Sequence, residues 1–190
     1  MTAARRLPPA HMTTAEFIAW PSERHQLVDG EPHAMAPASA VHGRIRARLG
    51  RRIDEHLDAI GSSCRVFTEP AIVPHIRADA NLRVPDLAVT CTPIELGQVA
   101  LPNPVLLVDI PSPGNEIDTR ANVWAYATIP SVREILVVFS WQVAAELLQR
   151  SRDGAWPTAP QAIGPGDTLR LDSIGLSCRL ADLYEGTPLA

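Results

Sequence analysis

Two stretches decide the fold: Arg83-Val84-Pro85-Asp86-Leu87-Ala88-Val89 and Val105-Leu106-Leu107-Val108-Asp109-Ile110. Each is a short apolar run carrying one aspartate, and both read as β-strands, the first from Asp86 to Cys91 and the second from Val105 to Ile110. If they pair antiparallel about a symmetric loop, residue 86 stands opposite residue 109, and two carboxylates lie side by side at one end of a sheet. Like charges directly opposite one another destabilise a sheet, so the pair needs a counter-charge. One answer is a divalent cation, because Mg²⁺ is usually held by one or two carboxylates together with waters and phosphate oxygens. The other is an arginine, with Arg83 and Arg120 the nearest candidates, or a turn capped by one of the acids.

The remaining elements follow from pattern. Thr13-Thr14-Ala15-Glu16 is a capping box that opens a short helix through Trp20, ended by Pro21. Gln26 to Val28 and Glu31 to Met35 form a hairpin about Asp29-Gly30. Ser39 opens the longest helix, with Val41, Ile45, Leu49, Ile53, Leu57 and Ile60 on one face and Gly61 as its stop. Residues 64–75 are extended and broken at Pro70. A second helix runs from Glu116 to Thr128. Glu134 to Phe139 and Val143 to Arg150 form a strand pair, and Thr168 to Leu171 and Leu176 to Leu180 are late strands before a helical turn at Ala181 to Tyr184. This order predicts a mixed α/β domain around one sheet, not a regular βαβ repeat. The expected layout is a loose tail over 1–12, a single domain over 13–186 and a short tail over 187–190.

Composition narrows the function classes. The chain has 190 residues, 46% hydrophobic and 20% charged, which is ordinary globular usage and argues against disorder or a coiled coil. No apolar run is long enough to span a bilayer, and Met1 to Pro9 lacks the apolar core of a signal peptide, so a soluble cytoplasmic protein with no membrane partner is expected. The net charge of −4 excludes a wholly basic nucleic-acid binder but leaves room for a local basic patch. All 17 basic residues are Arg, which points to a GC-rich genome and means that no mechanism here uses a lysine. Cys64, Cys91 and Cys178 are odd in number, widely spaced and set among apolar residues. They are read as buried apolar fillers, not as a disulfide framework or a zinc site.

A set of ordered motifs goes further: His25-Gln26-Leu27-Val28-Asp29-Gly30-Glu31, Met35-Ala36-Pro37, His42-Gly43-Arg44-Ile45, the two aspartate strands, Ser112-Pro113, then Tyr126 and Ile129-Pro130-Ser131-Val132-Arg133-Glu134. Together they resemble the Uma-two family of restriction-endonuclease-like proteins, over about residues 12–186. The resemblance implies a PD-(D/E)xK nuclease-like fold, a central mixed sheet flanked by helices. It implies metal-assisted hydrolysis of a phosphodiester, with Mg²⁺ or Mn²⁺ on Asp86, Asp109 and the carbonyl of Ile110. The sequence departs from the pattern. Pro111 stands where the archetypal motif has lysine. Asn122 stands where relatives carry a lysine on the following helix. Gln26 replaces a frequent glutamate, and Asp109 is one methylene shorter than the more usual Glu. Gln26 and Asn122 hydrogen-bond water but carry no charge, and Arg120 offers charge without proton transfer.

Other residues have two readings. Arg44, Arg48, Arg51 and Arg52 form one stripe on the long helix, either a phosphate-contacting ridge or a solvated face beside Asp54 and Glu55. His42 and His56 lie toward the apolar side as core histidines, although His42, near the helix start, would touch the site if that end points at Asp86. His25, Glu31 and Glu69 are further candidates or ordinary surface. Asp118, Asn122 and Tyr126 share one stripe of the second helix, pocket wall or polar surface, and Trp124 is read as packing. The leading functional reading is a Mg²⁺-dependent DNA endonuclease with a lysine-free site built on Asp86, Asp109, Gln26, His42 and Asn122. The alternative is a catalytically degenerate nuclease fold that binds nucleic acid or protein. A third is a homodimer formed through an exposed sheet edge in Glu134 to Arg150.

Overall fold

A computed structural model describes residues 11–20 and 24–190. The tail over residues 1–10 and the helix stop at Pro21 lie outside the described residues. The central sheet has six strands in the order β3-β4-β5-β6-β7-β8. They are β3 (Arg65–Thr68), β4 (Leu87–Thr90), β5 (Pro104–Asp109), β6 (Glu134–Val138), β7 (Ala145–Gln149) and β8 (Gln161–Ile163). Only β5 and β6 run parallel. A parallel pair needs a crossover, and helix α3 (Glu116–Ala127) supplies it. Two hairpins stand apart from this sheet, β1 (His25–Val28) with β2 (Glu31–Ala34), and β9 (Thr168–Leu171) with β10 (Leu176–Arg179).

Strict alternation divides the sheet between two cores. Leu87, Val89, Leu106, Val108, Leu136 and Val138 join Ile45, Leu49, Ile53 and Leu57 of helix α2 (Ala40–Ala59) on one face. Ala88, Leu107, Ile135 and Val137 join Val123 and Tyr126 of α3 on the other. Burial on both faces explains why these strands read as continuous apolar runs. A third cluster seats the first helix, α1 (Thr14–Ala19), and the β1–β2 hairpin through Met12, Phe17, Leu27 and Leu82. The capping box at Thr13 and Glu16 and the N-cap at Ser39 form as expected.

Several expectations are corrected. Cys64 and Cys91 are joined by a disulfide. The antiparallel register sets Arg65 against Thr90, so the next residue on each strand meets its counterpart across the ladder. Cys178 remains a free thiol. The strands within Glu134 to Arg150 are not an exposed edge, since β6 lies between β5 and β7 and β8 covers β7. The short strand β8 was not legible in advance. Met12, placed in the N-terminal tail by its sequence, is buried, and Leu189 of the C-terminal tail packs against the larger core. Among the described residues no helix is long and apolar enough to cross a membrane.

Candidate active site

The register places the two aspartates. Leu87 faces Val108, Ala88 faces Leu107 and Val89 faces Leu106. The same register carried one step further sets Asp86 against Asp109, beyond the last ladder pair. The pair sits at the end of the sheet, in a cavity of about 390 Å³. One wall comes from β1, β2 and the segment after them. The other comes from Ser112, Pro113 and the start of α3.

Each aspartate is held from a different layer. Asp86 is held by α2: His42 Nε2 lies 2.6 Å from Asp86 Oδ1, and Arg46 Nη1 lies 3.7 Å from the same oxygen. Its second oxygen, Oδ2, accepts the Ile110 amide at 2.7 Å. Asp109 is held by α3: the Tyr126 hydroxyl donates to Oδ1 at 3.2 Å and the Asn122 amide to Oδ2 at 3.4 Å. One turn of helix separates Asp118, Asn122 and Tyr126, so the whole stripe turns toward the cavity side of the sheet.

The electrostatics follow from burial. Asp109 is buried, and its carboxyl is pushed up to about 7, first by burial and then by the charge of Asp86; Asn122, Tyr126 and His42 pull the other way. The Tyr126 phenol is raised too, by burial and then by Asp109. The arginine counter-charge is only partly present. Arg83 bonds to the Leu27 carbonyl and Arg120 to Glu146, leaving Arg46, which is itself paired to Glu69, as the arginine beside Asp86.

These residues fit a hard divalent cation. A buried carboxyl raised by a like-charged neighbour is stabilised by a cation placed between them, and each carboxylate oxygen retains a lone pair after its present hydrogen bond. Among the described residues no group of three His, Cys, Asp or Glu side chains is arranged to hold a metal. The donors present are two carboxylates, a set that Mg²⁺ takes together with waters and phosphate oxygens.

The other sequence candidates divide clearly. Gln26, His42, Glu69, Asp118, Asn122 and Ile110 all line the cavity. Glu31 does not; it is exposed, 3.8 Å from His33. His25 packs edge-on against Trp20, and His56 bonds the Ile174 carbonyl at 3.0 Å, away from the site. Most of the arginine stripe is engaged within the fold and not simply solvated. Arg44, Arg48 and Arg52 tie α2 to the closing 3-10 turn, Leu180–Tyr184, and to Glu185, and Arg51 pairs with Glu55. Trp124 is 76% exposed, outside the buried cores. Arg46 was missed, although it lies one helical turn after His42 and that spacing was the available signal. Arg24 and His33 also reach the cavity wall without any sequence motif to mark them.

Three comparisons bear on this geometry. A family model described as "Uma2: Putative restriction endonuclease" matches residues 14–181. The uncharacterized protein slr1290 of Synechocystis sp. is 29% identical over 184 residues, covering 94% of each chain. The crystal structure of "a putative nuclease belonging to DUF820" from Anabaena variabilis shares 15% identity with a TM-score of 0.75, covering 91% of this chain and 97% of that one. At that identity the likeness is one of fold, and it matches the mixed sheet flanked by helices described above.

Proposed function

Because the chain belongs to the Uma2 family, described as "putative restriction endonuclease", we propose that it is a divalent-metal-dependent nuclease that hydrolyses phosphodiester bonds in DNA from a lysine-free site. The observation that carries this reading is the pair Asp86 and Asp109, brought to one cavity by strand register, with Asp109 raised to about 7 by burial and by its neighbour. Asp86, Asp109 and the Ile110 carbonyl would hold Mg²⁺ or Mn²⁺. When bound, that ion supplies an activated water and stabilises charge developing on the phosphate.

The chain's own residues do the positioning. His42 and the Ile110 amide fix the Asp86 carboxylate from two sides, so its orientation is set before substrate arrives. Tyr126 and Asn122 do the same for Asp109. Gln26 and Asn122 offer neutral donors and acceptors to a water in the cavity. Arg46 brings a permanent positive charge beside Asp86, the nearest substitute here for a lysine, but its pKa is too high for proton transfer. Proton acceptance is left to water or to the substrate phosphate itself.

The deciding experiment is calorimetric titration of Mg²⁺ and Mn²⁺ into wild type and Asp86→Ala, followed by cleavage assays on single- and double-stranded DNA. Metal binding and metal-dependent cleavage, both lost in the variant, are expected. Absence of cleavage across substrates and metals, with DNA binding retained, would favour the alternative of a degenerate nuclease fold that binds without turnover. The neutral Asn122 at the expected lysine position favours that second reading.

A further inference from the structure

Arg83 is used by nothing described so far. It is 5% exposed, yet it lines the cavity. Its Nη1 donates to the Leu27 carbonyl at 2.7 Å, and its buried Nε has no hydrogen-bond partner. Among the described residues no carboxylate lies within ion-pair distance of it. A guanidinium has five N–H donors, and a buried cation with neither counter-ion nor full hydrogen bonding is costly. A cavity ligand with anionic oxygens would complete it.

Its surroundings indicate which ligand. Leu27 turns into the satellite core, so its neighbours Gln26 and Val28 turn to the cavity. Arg83, whose backbone is bridged to Ile72, lines the cavity beside that wall. Arg24 and His33 stand on the same wall. Arg24 holds a left-handed backbone, φ 59°, and spends one Nη2 bond on the Ala36 carbonyl at 3.0 Å. The cavity is thus cationic along the β1–β2 wall and acidic at the sheet end. A polyanion lying across it would meet both: one phosphate at the acid pair through a cation, the next on the arginines.

The geometry points to a phosphate subsite formed by Arg83 and Arg24, which takes the non-bridging oxygens of a backbone phosphate adjacent to the one at the acid pair. This deepens the nuclease reading and rests on it for the identity of the polyanion. The subsite itself needs no metal, and that separates the two tests.

The experiment is fluorescence anisotropy of a labelled DNA oligonucleotide in EDTA, with wild type, Arg83→Met, Arg24→Gln and Asp86→Ala. Arg83→Met keeps the volume and removes the charge, and the Leu27 carbonyl still accepts the Leu82 amide at 3.0 Å. The expected result is a roughly tenfold or greater loss of affinity, from lost charge-assisted hydrogen bonds, with a melting temperature equal to or above that of wild type. Arg24→Gln should weaken binding and reduce the salt slope by about one. Asp86→Ala should bind the oligonucleotide more tightly than wild type in EDTA, because without a cation that carboxylate repels the phosphate at the acid pair. Wild-type affinity in a folded Arg83→Met would overturn the subsite. So would a lowered melting temperature with unchanged affinity in Arg24→Gln, the pattern of purely structural arginines. Inorganic phosphate binding that needs Arg83, with no oligonucleotide binding by wild type, would overturn the polynucleotide assignment. Failure of cleavage with these binding effects intact would count against the nuclease reading alone.

Discussion

Replacing Asp109 by Asn removes a charge that the fold resists holding. The carboxyl lies at about 7 against an ordinary 3.8. Its folded-state value is raised, so the folded protein binds the proton more tightly than the unfolded chain does between those two limits. Stability is therefore highest below about pH 4 as far as this group is concerned. It falls as pH rises toward 7 and levels off above it. Roughly three pH units at about 1.4 kcal/mol each give a penalty on the order of 4 kcal/mol at pH 8 for the metal-free protein. Asp109→Asn has no such penalty and keeps an oxygen to accept from Tyr126. The stability difference between the variant and wild type, measured by urea unfolding in EDTA from pH 4 to 9, should rise with a slope of about 1.4 kcal/mol per unit and flatten near pH 7. Adding Mg²⁺ at pH 8 should stabilise wild type and not the variant. A variant less stable than wild type at pH 8, or a difference that does not change with pH, would refute the claim that Asp109 is an electrostatic liability held for function.

Further perturbations probe the same frame. Asn122→Lys places an ammonium near Asp109, whose Oδ2 now lies 3.4 Å from the Asn122 amide. The Asp109 midpoint should fall below about 7 in the same pH series, and metal-dependent cleavage should rise at least about tenfold if positive charge is what the site lacks. Tyr126→Phe removes a donor that favours the charged form of Asp109. The midpoint should rise by about one unit, read by carboxyl chemical shifts. Reducing the Cys64–Cys91 bridge, whose cysteines are 27 residues apart in sequence, should cost about 3.5 kcal/mol by loop-closure entropy. Unfolding with and without a reductant, against a Cys64→Ser/Cys91→Ser control that should not respond, measures it.

Much of this was legible because strand alternation and register are local rules with long reach. The apolar runs from Asp86 to Cys91 and from Val105 to Ile110 announced strands, found at Leu87–Thr90 and Pro104–Asp109, and a symmetric pairing of those runs brought Asp86 and Asp109 to one sheet end. His42 was legible as a helix-start residue whose end would point at Asp86, and it does. What escaped depended on contacts between elements whose relative placement no periodicity encodes. Arg46 belongs to the exposed turn of α2 until Glu69, from another strand's end, reaches it. The arginine stripe looked solvent-directed because its partners, Asp182 and Glu185, are more than a hundred residues away in the chain. The disulfide was misread from composition, although the antiparallel register that aligned the aspartates has its counterpart in the pairing of β3 with β4. Trp124 was read as packing because it points away from the Asp118, Asn122 and Tyr126 stripe, and it lies exposed on α3.

The two aspartates take their support from opposite sides of one sheet, Asp86 from α2 and Asp109 from α3. The Ile110 amide also ties Asp86 to the end of β5, so strand register sets the spacing while the two helices set the orientation of each carboxylate. Repacking the α2 layer at Ile45 or Leu49 should act on Asp86 mainly through His42, and repacking α3 at Val123 should act on Asp109 mainly through Asn122 and Tyr126. A lineage with this scaffold can tune the geometry of the acid pair through apolar substitutions remote from any charged residue. The two hydrophobic cores thus aim the two acids from either side of the sheet.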